Sequence, residues 1–406
     1  MTNSLREQVL ARLTHYQVDI LQLTQELMAV ATENPPGLLY KPCVDLIAGK
    51  LAALDLPCEV ITVPMGDSEL EPRYCVLSHY GSGQPTFYFH GHYDVVPAAS
   101  PDQYRPYVEG SRLYGRGSSD MKGGLAAMIY ALKALQDCAA PLTGRVGLTI
   151  VPDEETGGAF GSSYLAEAGI LGRDGIGMLL AEPTSGVVWN ANRGAISMRI
   201  TVKGKPAHVG LQYQGVNAFE RMIVVANALM ELKAEVEARQ TGYNIQPEAA
   251  RASILMMGGV SSAGSNFNLV PGQSSFTIDR RMNPEEDLAA EKALIFQVLE
   301  SVRQQGIELD VEIFQEAESA GASADHPVGR ALAANIEAIK GQPPEFELCP
   351  GLLENRFYAQ AGVPAYSYGP GLLSVSHGPA EYVEIAELYN CAAIYALTAL
   401  DMLLGD

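Results

Sequence analysis

HGHYDVVP, residues 90–97, sets His90, His92 and Asp94 at every second position and then closes on Val95-Val96-Pro97. Side chains alternate faces along a strand, so these three polar groups share one face. A buried sheet face does not gather two imidazoles and a carboxylate unless something binds them. Upstream, residues 73–79 and 85–89 read as strands leading into this stretch. Downstream, MKGGLAAMIYALKALQ (121–136) is rich in Ala, Leu and Met and reads as a helix, while RVGLTIVP (145–152) and GMLLAEP (177–183) are apolar strands that stop at proline. Strands alternating with helices predict an α/β sheet covered on both faces.

A chain of 406 residues exceeds one ordinary core, so two domains are expected. The texture changes near residue 190. ISMRITVKG (196–204) alternates like a half-exposed strand, and a helix is expected over about 215–238. SILMMGGV (253–260) and SSFTIDRRM (274–282) read as strands, followed by a helix at about 284–305 and the strand LDVEIF (309–314). Two helices over four strands make a compact α+β module. The α/β character then returns, with VPAYSYGP (363–370) as a strand and 384–403 as a helix. The expected organisation is a discontinuous domain, 1–190 with 317–406, carrying an insertion at 191–316. At the N-terminus, Val9, Leu10, Leu13, Ile20, Leu21, Leu27 and Met28 predict one amphipathic helix over 5–31.

The net charge of −20 argues against nucleic acid and anionic membranes as partners. The six cysteines are scattered without a C-x-x-C pair, which argues against a secreted disulfide framework or a cysteine zinc site and fits reducing cytoplasm. MTNSLREQVL has no charged-then-apolar signal pattern, and no apolar run reaches the ~18–20 residues of a spanning helix. A cytoplasmic location is expected.

Polar residues collect where the apolar runs of the α/β part end, the usual place for a site in such folds. They are His92 and Asp94, Asp120 in GRGSSDMKGG, Asp153-Glu154-Glu155 in VPDEETGG, Glu182 in LLAEPTS and His377 in SVSHGP. Singly, each has an ordinary reading: a helix cap for Asp120, a loop acid for Glu182, a turn residue for His377, exposed charge for Glu154 and Glu155. Together they hold several of only seven histidines, and histidine with carboxylate oxygen is the usual donor set of catalytic zinc. Two Zn²⁺ are neutralised by three carboxylates and a shared hydroxide, with two neutral imidazoles filling the remaining positions. One acid is then left for proton transfer.

The order His-x-Asp, Asp, Glu-Glu, Glu-Pro and a late His resembles the M20 family of metallo-amidohydrolases and peptidases, and spans residues 90 to 381. The resemblance implies an α/β, mixed-sheet di-zinc catalytic domain with an inserted four-strand, two-helix lid and dimerisation domain. It implies that His92, Asp120 and Glu182 hold one zinc, that Asp120, Glu155 and His377 hold the other, and that Glu154 is the general base. Asp94 would fix the ring of His92 by bonding to it. His90 would be a packed or supporting residue rather than a ligand. The Asp120–Met121 peptide would be cis. His208, in KGKPAHVG, would donate to the oxyanion, reaching across a homodimer. Arg281 in FTIDRRMNP would grip a substrate carboxylate, Asn268 in NLVP would sit at the site edge, and Arg193 in NRG is a weaker candidate. In PGLLENRF (350–357), Leu352, Leu353 and Glu354 depart from the small, hydroxylated or Asp residues of relatives, so a particular relative's substrate does not transfer.

The expected function is hydrolysis of the amide of an N-acyl amino acid, with two Zn²⁺, or Co²⁺ or Mn²⁺ on the same ligands. A dipeptidase or carboxypeptidase is the enzymatic alternative. A binding protein on a peptidase fold is the alternative from another class, disfavoured because all five ligand positions and Glu154 are filled.

Overall fold

The computed structural model describes residues 2–65 and 71–405. The chain forms two compact units. One comprises the chain up to Asn190, Ala322–Phe346 and the chain from Phe357 onward; the other comprises Ala191–Gly321 and Glu347–Arg356. The second unit therefore runs past residue 316 and takes in a segment expected in the discontinuous domain. Backbone pairing explains both differences. Ala320 and Gly321 pair with Asn192 and Ala191, and Leu348 N donates to Asn244 O at 2.7 Å.

In the first unit the strands lie in the order Glu59–Val63, Arg73–Gly81, Arg145–Val151, Thr86–His92, Gly175–Leu180, Ala365–Ser367 and the first three residues of Val188–Asn192. The four strands from Arg145–Val151 to Ala365–Ser367 run parallel, with antiparallel neighbours on both sides. Every residue of Thr86–His92 is buried, as suits a central parallel strand. Phe89 meets Tyr395 of the helix Ile385–Leu403 on one face, while Tyr88 and His90 meet Tyr358 on the other. Gly91 is required where the helix Lys122–Asp137 approaches: a Cβ there would stand 2.5 Å from Met121 Cε and 2.8 Å from Leu125 Cδ2. The expected strand 363–370 is regular only over Ala365–Ser367.

The single helix expected over 5–31 is two, Thr2–His15 and Gln17–Met28. The break is at Tyr16, whose φ of −87° and ψ of 3° leave the helical region. Its hydroxyl bonds Asp137 and its ring tilts against Tyr130. Among the described residues no helix is long and apolar enough to cross a membrane.

The second unit holds an antiparallel sheet in the order Ile254–Ala263, Gln273–Met282, Gly194–Lys203, Leu309–Ala317. Ile196, Met198, Ile200 and Val202 alternate inward and share one core with Leu229 and Leu299 of the helices Ala218–Glu237 and Leu288–Arg303.

Candidate metal centre

Parallel register gathers the polar residues at one edge of the first unit's sheet. His90 pairs with Leu180 and His92 with Val151, so Glu182 and the Asp153–Glu155 turn emerge beside His92. Asp120 precedes the helix Lys122–Asp137, and the Asp120–Met121 peptide is cis. His377 sits in a loop with φ of 63°, a conformation rare outside glycine.

Two donor clusters result: His92, Asp120 and Glu182, and Asp120, Glu155 and His377, each with its donor atoms within 4.8 Å of one another. His92 Nε2 lies 3.3 Å from Asp120 Oδ1 and 3.6 Å from Glu182 Oε1. His377 Nε2 lies 3.3 Å from Asp120 Oδ2 and 3.3 Å from Glu155 Oε2. Asp120 thus offers one oxygen to each cluster. His92 Nε2 and Glu182 Oε1 are buried yet make no hydrogen bond, an arrangement that costs free energy unless another group completes it.

The electrostatics demand positive charge. Burial pushes the Glu182 carboxyl well above its ordinary range, and the Asp120 charge adds to this. Burial likewise raises Glu155. Asp120 is also buried, but His377 and His92 outweigh that and hold it below the usual carboxylate range. The Asp120 and Glu155 carboxylates push His377 up to about 10. For His92, burial opposes the charge and the Asp120, Asp94 and Glu182 carboxylates outweigh it, raising the ring well above its ordinary value.

Surrounding side chains hold these groups in place. His92 Nδ1 lies 3.0 Å from the main-chain carbonyl of Asp94, whereas the Asp94 carboxylate is 3.4 Å from it. His92 Nδ1 thus faces both the carbonyl and the carboxylate of Asp94, which directs Nε2 toward the cluster. The carboxylate also accepts Glu154 N and Glu155 N, each at 3.2 Å, and Asn34 Nδ2 at 2.9 Å. It anchors the turn carrying both glutamates. Asp153 supports the same turn with φ of 65°, held by Arg73 at 3.1 Å and Tyr40 Oη at 2.8 Å. His90 lies outside both clusters, bonded to Ser162 Oγ at 3.0 Å and Tyr358 Oη at 3.2 Å. Glu154 is half-buried, and its charge contributes to raising Glu182.

Sequence reading missed Asn34, Tyr40, Arg73, Arg116 and Glu381. Arg116 and Glu381 form a buried ion pair beside Asp120. The available signal was Arg116 inside GRGSSDMKGG and Glu381 two residues beyond SVSHGP.

The remaining candidates lie in the second unit. His208 is exposed, with Nδ1 accepting Gly210 N at 3.1 Å. Asn268 is half-buried, its carbonyl accepting Val209 N at 3.0 Å. Arg281 pairs with Asp279, Nε to Oδ1 at 2.8 Å and Nη2 to Oδ2 at 2.9 Å. Arg193 is buried and its Nη2 donates to the carbonyls of Ala250 and Ala252. Leu353 is buried and Leu352 half-buried.

Comparison with known proteins places the chain in a family. The sequence profile of peptidase family M20/M25/M40 matches residues 88–401. A succinyl-diaminopimelate desuccinylase from Gluconobacter oxydans is 29% identical over 365 residues, covering 86% of this chain and 89% of its own. Human carnosine dipeptidase 1 has the same fold, with a TM-score of 0.72 at 18% identity and 98% of both chains covered. A dinuclear metal-binding peptidase of the M20 family from Bacillus subtilis aligns with a TM-score of 0.68 at 16% identity, over 96% of this chain and 99% of its own. Because the profile match takes in the whole stretch from the strand before His92 to the last helix, the chain belongs to peptidase family M20/M25/M40 and is a metal-dependent hydrolase of amide bonds.

Proposed function

We propose that this protein hydrolyses the amide of an N-acyl amino acid with a pair of Zn²⁺ ions. The observation that carries the reading is the pair of donor clusters that divide the two oxygens of Asp120. The orphaned His92 Nε2 and Glu182 Oε1 fit a cation, and imidazole with carboxylate suits zinc, with Co²⁺ or Mn²⁺ on the same donors. In this reading His92, Asp120 and Glu182 hold one ion, and Asp120, Glu155 and His377 the other. Bound there, the pair supplies an activated water and polarises the scissile carbonyl.

Glu154 takes the proton of the attacking water and returns it to the departing amine. Its turn is pinned at the Glu154 and Glu155 amides by Asp94, which keeps the base in register with the cluster. His208, exposed and with Nδ1 occupied as an acceptor, offers Nε2 as a donor to the developing oxyanion of a partner copy in a homodimer. Arg281, partly exposed beside Asp279, is the proposed grip on the substrate carboxylate, with Asn268 at the edge of the site. The scattered cysteines support a cytoplasmic location.

The desuccinylase relative favours an acyl amino acid over a dipeptide. A panel of acetyl-, succinyl- and formyl-amino acids set against dipeptides and longer peptides, assayed on zinc-, cobalt- and manganese-loaded protein, tests this. At least tenfold higher kcat/KM on one acyl series is expected. Preference for dipeptides or C-terminal residues assigns a peptidase, and no amide hydrolysis on any member of the panel defeats the proposal.

Metal uptake has a protonic signature. The metal-free His377 ring, with a pKa of about 10, is protonated at neutral pH and must lose that proton to bind a cation. Binding near pH 7.5 is therefore expected to release protons, and affinity is expected to rise with pH up to that value. Calorimetric titration in two buffers of different ionisation enthalpy measures this; identical heats in both contradict it.

A further inference from the structure

His377 is the least supported of the clustered residues. Its side chain is 51% exposed, so packing does not hold the ring, and its backbone is in the left-handed region. What fixes its loop is main-chain bonding to buried groups elsewhere in the first unit. Arg116, 1% exposed, donates from Nη2 to His377 O at 3.1 Å and to Pro97 O at 3.3 Å. Its Nη1 donates to Oε2 of Glu381, also 1% exposed. The other oxygen of Glu381 accepts Ser119 N at 3.0 Å and Asp120 N at 3.1 Å. A second tie runs parallel to this one: Gln103 O accepts Arg116 N at 2.9 Å, and Gln103 Nε2 donates to Gly378 O at 3.0 Å.

The pair thus joins two loops far apart in sequence. At one end it holds the amide of Asp120, and at the other the carbonyl of His377. These are two of the three residues of the second cluster, but the first cluster shares only Asp120 with it. We propose that the buried Arg116–Glu381 pair is a positioning device that sets the spacing between Asp120 and His377, and so the affinity of the second cation position. The inference rests on the two-cation reading above. Neither residue belongs to a donor cluster; each bonds the backbone of a residue that does. Residues behind metal ligands typically govern affinity by 10- to 100-fold.

Different substitutions separate the two ends. Arg116→Met combined with Glu381→Gln removes the guanidinium from His377 O without leaving a lone buried charge, and the glutamine carbonyl still accepts the Ser119 and Asp120 amides. Arg116→Lys keeps the charge opposite Glu381 but loses the planar fork that reaches two carbonyls as well. Glu381→Ala removes the acceptor for the Asp120 amide. Cobalt titration of the metal-free proteins, followed by visible absorption and calorimetry, resolves the two binding steps without relying on turnover.

The double variant is expected to bind the first Co²⁺ within about threefold of wild type and the second about 10- to 100-fold more weakly. Arg116→Lys is expected to fall in the same direction by less. Glu381→Ala is expected to weaken both steps. Equal weakening of both steps in the double variant, or an unchanged second step in both Arg116 variants, overturns the positioning role. Failure of the parent reading looks different: wild type itself then takes up one cation or none, and the inference falls with it.

Discussion

Glu154→Gln is expected to retain both cations and to lose about 10²- to 10⁴-fold in kcat, the usual contribution of a positioned general base. That loss corresponds to about 3–5 kcal/mol of barrier. The structural basis is the separation of holding from proton transfer. Glu154 belongs to neither donor cluster, whereas its neighbour Glu155 belongs to one. The Asp94 carboxylate anchors both amides of the turn, so an isosteric amide at 154 leaves the turn in place. Metal content by mass spectrometry and turnover on the preferred substrate are the two readings. Near-normal kcat with two ions bound removes Glu154 from the mechanism. Loss of an ion would instead make it a ligand.

Asp120→Asn is expected to act on both cations at once. One carboxylate lies 3.3 Å from each of the two imidazoles, through different oxygens. An asparagine retains one acceptor oxygen and presents an NH₂ group to the other position, which is repulsive to a cation. Affinity for both ions is expected to fall by more than about 100-fold, beyond the range for residues behind the ligands, and activity to fall to background. Glu182→Gln, by contrast, is expected to weaken the first position selectively. Titration calorimetry with Zn²⁺ distinguishes the two variants. Tight uptake of two ions by Asp120→Asn would show that the carboxylate is not shared.

Much of the framework was visible in local pattern. The apolar runs ending at His92, Val151 and Leu180 announced strands of an α/β sheet, and their parallel register in the structure carries the following residues to one edge. The alternation of Ile196, Met198, Ile200 and Val202 marked a half-buried strand of the second unit. Where local pattern misled, a long-range contact overrode it. The heptad-like spacing through residue 16 read as one helix, but Tyr16 turns to bond Asp137 across 121 residues. Glu347–Arg356 read as part of the returning α/β domain, but Leu348 bonds Asn244.

The amino-acid order by itself determined the alternation of the strands, the family and the candidate donor residues. Each is encoded by side-chain type at short spacing, where burial and hydrogen-bonding preferences act locally. Only the tertiary structure decided that Asp120 faces two imidazoles with two oxygens, that the Asp94 carbonyl joins its carboxylate at His92 Nδ1, and that Arg116 lies against Glu381. These depend on loops brought together by the packed sheet. A carboxylate in a sequence carries no direction, and its partner is chosen by the backbone groups that burial leaves within reach.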